Sequence, residues 1–247
     1  MTSITLLRYE IRRIILSKKY FYMILLTIGL TYDSLTRLVT GGYYGTAPFS
    51  DWSYTFFIQL ISPLVISVII FMMTSIFNEK ELRARKIIFS TPISQARYYI
   101  LKIFTMVITF LLTGLVPIIM SFIYYKVLFN YVGFTSYVKL IFWFIVPSFV
   151  FILGFSMVLG KINIKFLYGL IPVVFLLGTI NTSDILPRWL DIFGVHYFTM
   201  CTYAELFGRE SQVVPFELST AFICSRIIFI LIGVILLGFT CMKTVKE

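Results

Sequence analysis

The stretch IFTMVITFLLTGLVPIIMSFIYY, residues 103–125, decides the fold. It contains no Asp, Glu, Lys, Arg or His and exceeds the roughly 20 apolar residues that a helix needs to cross the hydrocarbon of a bilayer. Its surroundings are of the same kind. Of 247 residues, 59% are hydrophobic and 13% charged, and the mean hydropathy is +0.94. Soluble domains run nearer 45–50% apolar and about 25% charged. A water-soluble fold of this length has too little interior to hide so much apolar surface, so the expected solvent is lipid.

Five further apolar stretches accompany it: 20–38, 54–77, 140–160, 166–180 and 219–242. Asp33 and Arg37 weaken the far end of the first, and the fifth (166–180) is short. The expectation is an all-α membrane protein of one transmembrane domain over 1–247. It has six transmembrane helices preceded by an N-terminal interfacial amphipathic helix. That helix, 1–20, repeats Ile4, Leu7, Ile11 and Ile14 at helical spacing and places Arg8, Arg12 and Lys19 on other faces. No A-x-A site follows its apolar run, so it is expected to be retained.

Lys and Arg set the orientation. Fifteen lie in 1–20, 78–102, the 161–165 connection and the C-terminal tail, and five lie in the segments between. This distribution predicts both termini and 78–102 in the cytoplasm, 181–218 outside, and a multi-pass protein of the bacterial plasma membrane. It also explains the net charge of +10 without nucleic acid, which would need basic residues gathered on one soluble face.

Catalytic chemistry has little foothold. The second to fifth spans hold no Asp, Glu, Lys, Arg or His, and neither HExxH, a serine elbow nor a phosphate loop is present. Cys201, Cys224 and Cys241 lack metal-ligand spacing, and His196 is the only histidine, so no metal is expected. Pro63, Pro117, Pro147 and Pro172 fall inside spans, as static kinks or as hinges. Arg226, about two turns into the last span, is the one intramembrane charge. It needs a partner or a route to the interface, with Glu217, Asp33 and Glu205 as candidate partners.

The segment FNEKELRARKIIFSTPISQARYYILKIF, 77–104, is too polar for lipid yet patterned like folded structure. Glu79 and Arg83, and Glu81 and Arg85, are i,i+4 pairs in the favourable order. Ser90-Thr91-Pro92 breaks the first helix, and Thr91 as cap with Pro92 at the first helical position starts a second. The result is a cytoplasmic helical hairpin leading into residues 103–125.

The N-terminal amphipathic helix, six spans and the pattern E-x-R-x-R…S-T-P-I-S…R-Y…K resemble the permease subunits of bacterial ATP-binding-cassette exporters, of the second permease type. A glycine that the family often carries after the charged stretch is Arg85 or Lys86 here. The resemblance implies that 78–102 couples to a separate ATPase. Glu79, Glu81, Arg83 and Arg85 would touch that partner, and Ser90, Thr91, Pro92 and Ile93 would shape the turn. It implies that ATP and Mg reside on the cytoplasmic ATPase subunit, with no cofactor and no enzymatic activity on this chain. It further implies a second permease copy, identical or paralogous, and short outer helices after the fifth span, where Leu186, Trp189, Leu190, Ile192 and Phe193 offer apolar anchors. The implied cargo is an amphipathic peptide such as a bacteriocin, a lantibiotic or a phenol-soluble modulin. Two other classes compete: a membrane-embedded immunity protein that binds peptide without an ATPase, and an ion-coupled secondary transporter built around Arg226.

Overall fold

A computed structural model describes residues 3–40, 46–90, 94–180, 190–206 and 215–242, and among them every regular element is helical. The helices are α1 (Ser3–Ile15), α2 (Lys18–Asp33), α3 (Asp51–Met73), α4 (Glu79–Phe89), α5 (Gln95–Phe129), α6 (Thr135–Ile162), α7 (Ile164–Thr179), α8 (Val195–Cys201) and α9 (Thr220–Cys241). Wider π-turns extend α2 over Ser34–Val39 and α8 over Thr202–Leu206.

The starts of these helices follow from short polar side chains that satisfy the first free backbone N–H groups. Ser17, Ser50, Asn78, Ser94, Asn163 and Ser219 cap α2, α3, α4, α5, α7 and α9 in this way. The cap of α5 differs from the one expected: Ser94 takes the Arg97 N–H at 3.3 Å, and the helix begins at Gln95. Thr91, Pro92 and Ile93 lie outside the described residues. Asn130, at φ 50°, closes α5 in the left-handed conformation that ends many helices.

Four helices, α3, α5, α6 and α9, are each long and apolar enough to cross a membrane. Residues 5–37 make a fifth only if α1 and α2 are counted together across a 59° bend. Two of the six expected spans, α2 and α7, are therefore not long and apolar enough to count as crossings by themselves. At 1.5 Å per residue, the 16 residues of α7 reach about 24 Å, short of a hydrocarbon core of about 30 Å. The 35 residues of α5 reach about 52 Å and project well past it.

Helix α3 is the centre, buried along most of its length between α5, α6 and α7. The outward faces of α2, α5, α7 and α9 carry exposed Leu, Ile, Val and Phe, the reverse of what water would select and the normal surface of a protein in lipid. The closest pair is α6 with α9. A Cβ on Gly154 would lie 2.5 Å from the Gly233 carbonyl oxygen, and one on Gly233 would lie 2.5 Å from that of Val150. Small residues permit this backbone contact, the usual device for joining helices where no hydrophobic effect drives them together.

The two ends of the bundle differ. At one end α1, α4, the start of α5 and the last turns of α6 and α9 meet, joined by charges. At the other, Tyr54, Tyr125 and Tyr137 are fully buried, with Tyr54 stacked on Tyr137 at 3.7 Å.

Candidate functional site at the basic end

The site grows from the way α4 sits. Asn78 accepts the Glu81 N–H at 2.8 Å, which fixes the first turn of α4 and turns Glu81 inward. Its side chain is 5% exposed. Glu81 Oε1 accepts from Lys102 Nζ at 2.5 Å and from the Tyr98 hydroxyl at 2.8 Å, and Oε2 accepts from Arg13 at 2.6 Å. Tyr98 and Lys102 are four apart on α5, so both point the same way. Glu10 completes the set from α1, 2.7 Å from Lys102 Nζ and 2.9 Å from Arg13.

Two carboxylates and two cations thus form a neutral cluster that binds three helices. Isolated charges at this burial would be costly; paired and hydrogen-bonded, they become a device that fixes one geometry. Burial pushes the Glu81 carboxyl up. Lys102, with the hydrogen bonds from Lys102, Tyr98 and Arg13, outweighs it, and the group is held below the ordinary carboxylate value. Burial and then Glu81 push the Tyr98 hydroxyl up, so it stays protonated and keeps donating. For Arg13, burial works against the charge, but Glu10 and Glu81 prevail and raise its pKa.

The cluster continues sideways. Arg85 donates to the Tyr99 hydroxyl at 2.8 Å, and Lys161 of α6 lies 4.2 Å from the centre of the Tyr99 ring. Lys161 also donates to the Thr240 carbonyl of α9. A continuous set of contacts therefore leads from α4 to α1, α5, α6 and α9.

The expected coupling residues separate into two kinds. Glu79 and Arg83 stand on the outside, 88% and 82% exposed as side chains, in a loose 3.6 Å ion pair. Such a pair contributes little to stability and leaves both groups open to a partner. Glu81, expected to pair with Arg85 and face the partner, instead faces inward to Lys102, while Arg85 binds Tyr99. Ser90 ends α4, its hydroxyl turned back to the Ile87 carbonyl at 2.7 Å. Ile87, 72% exposed, follows Glu79 and Arg83 at i,i+4 spacing, so α4 presents a mixed charged and apolar stripe. Glu10 and Arg13 are not among the residues that the sequence pattern marks, and Tyr98 and Lys102 enter it only as the R-Y…K that closes the hairpin motif. The available signal was Glu10 sharing a face of α1 with Arg13 and Ile14.

At the opposite end, Arg226 is fully buried, and its partners are not the acidic side chains expected. It donates to the main-chain carbonyls of Ile192 at 2.5 Å and Asp191 at 2.7 Å and lies against the rings of Phe222 and Phe229. Ser148 of α6 donates to the same Ile192 carbonyl at 2.5 Å. The Asp191 carboxylate takes the N–H groups of Val195 and Tyr197 at 2.9 Å each, which orders α8. The connection between α7 and α9 is thereby pinned to both α6 and α9. Of the other anchors expected there, Leu186 and Trp189 lie outside the described residues.

No group of His, Cys, Asp and Glu suited to a metal ion occurs among the described residues. Comparison of the chain with known families, with curated proteins and with solved structures finds no match.

Proposed function

We propose that this chain is the membrane permease subunit of an ATP-driven exporter, working as a pair with a second copy and with a cytoplasmic ATPase that binds ATP and Mg. In this reading α2, α3, α5, α6, α7 and α9 are six spans, with α2 extended by its π-turn and α7 a short one. Helix α1 lies in the headgroup layer, and the basic end with both termini faces the cytoplasm, as the positive charge there favours. The cargo is an amphipathic or apolar molecule, with a small peptide as the first candidate.

One observation carries the reading. Helix α4 is the polar element whose outer stripe (Glu79, Arg83, Ile87) is open, while its inner residue Glu81 is clamped to α1 and α5. A force applied to that stripe reaches the membrane helices through stiff, charge-assisted contacts. Hydrolysis itself would belong to the partner, by in-line phosphoryl transfer.

Affinity purification of the tagged chain from native membranes tests this. The expected result is an ATPase subunit in stoichiometric amount, lost with Glu79→Lys plus Arg83→Glu while the variant keeps its helix content. Recovery of peptide-bound chain with no ATPase would overturn the reading in favour of a sequestering immunity protein. Residues 79–102 labelled from outside intact cells would overturn the orientation.

A further inference from the structure

A groove of about 380 Å³ runs between α2, α3 and α7 on the lipid-facing side of the bundle. Its floor is Leu64, Ser67 and Val68 of α3, all buried, and its rims are the half-exposed Leu26, Leu30 and Phe175. Met23, Leu26 and Leu30 follow Lys19 at intervals of four, three and four, so all four residues share one face of α2. Lys19 is exposed at the basic end, and its ammonium lies 5.8 Å from the ring centre of Phe71, which lines the same groove. The groove therefore has a cationic head and an apolar body.

A second observation concerns Ser67. Its hydroxyl is buried and has no hydrogen-bond partner among the described residues. Thr105, Thr109 and Thr113 each return their hydroxyl to the carbonyl four residues back; Ser67 does not. A buried O–H without an acceptor is costly, and this one lies just beneath the groove wall that Ser67 helps to form, one helical turn below Phe71. That turn is about 5.4 Å along the axis, comparable to the roughly 5–7 Å of headgroup layer on each side of the hydrocarbon.

We infer that the groove is a binding site for an anionic phospholipid. The phosphate sits at Lys19, an ester carbonyl accepts from Ser67, and one acyl chain lies along Met23, Leu26 and Leu30. The inference requires that the chain reside in a bilayer, not that it export anything.

Native mass spectrometry of the detergent-purified chain tests it, with phosphatidylglycerol and phosphatidylcholine of identical acyl chains as probes. Phosphatidylglycerol should bind about five-fold more tightly, the contribution of one lysine near an anionic headgroup. Lys19→Glu should erase that preference, whereas Lys139→Glu, an equal charge change at the opposite end, should leave it. Leu26→Trp should weaken both lipids. Equal binding of the two by the native chain would overturn the inference, as would an intact preference in Lys19→Glu with unchanged helix content and elution volume. If Leu26→Trp left lipid binding untouched and split a dimer into monomers, the groove would be an interface between copies instead.

Discussion

The ammonium of Lys102 lies 2.7 Å from the carboxylate of Glu10, tying the helix that opens the chain to the helix that follows α4. Neither residue approaches the other in sequence, and both are almost fully buried. Their meeting creates a polar interior at the basic end of an otherwise apolar protein.

Removing one partner should be expensive. Glu81→Ala leaves Lys102 and Arg13 with half their countercharge, and the expected loss is about 3 kcal/mol. Arg83→Ala, on the exposed side of the same helix, should change stability by less than about 0.5 kcal/mol. Unfolding of both variants in detergent, followed by circular dichroism, measures the contrast. Equal losses would mean that the cluster is not what holds α4.

Acid should release the same contact. The folded Glu81 carboxyl titrates below its ordinary value of 4.5, so the unfolded chain takes up the proton first as pH falls. The stabilisation is fully present above that value and is lost as pH drops through the lower folded value. Melting temperature should therefore stay level from neutral pH to about 5.5 and decline below about 4.5. In Glu81→Gln the decline should be shallower; an identical profile would assign the acid sensitivity elsewhere.

Arg226→Lys tests the opposite end. A single ammonium cannot reproduce a planar guanidinium bonded to two carbonyls and laid against two rings. The expected cost is about 1.5–3 kcal/mol, with faster thiol labelling of Cys201 on the loosened α8 in a background lacking Cys224 and Cys241. Unaltered labelling and stability would return Arg226 to candidacy as a transport residue.

Four glycines divide by what surrounds them. Gly154→Ala and Gly233→Ala each drive a methyl into backbone at 2.5 Å and should cost about 1–3 kcal/mol or more. Gly114→Ala and Gly169→Ala meet nothing within 4 Å and should be neutral or stabilising by up to about 1 kcal/mol. Thermal melts of the four variants settle the comparison.

Local signals in the sequence read well. Apolar runs locate α3, α5, α6 and α9, because about 20 consecutive, mostly apolar residues are the length at which a helix satisfies its own backbone across lipid. The i,i+4 order located α4, and the Glu79–Arg83 pair is as spacing predicts. The partners of Glu81 were not legible, since Arg13 and Lys102 come from other helices and no periodicity within α4 names them. Arg226 was visible as an anomaly, yet its partners are carbonyl oxygens that every residue possesses, so composition points at none of them. The π-turns left no mark in the sequence either: they shift hydrogen bonds by one residue without a distinctive side chain.

The α6–α9 pair is fastened at three heights: the shared Ile192 carbonyl, the Gly154–Gly233 touch, and Lys161 on Thr240. Two rods welded at top, middle and bottom cannot slide or scissor. The pair is built to move as one plank, and a motion of either helix carries the other with it.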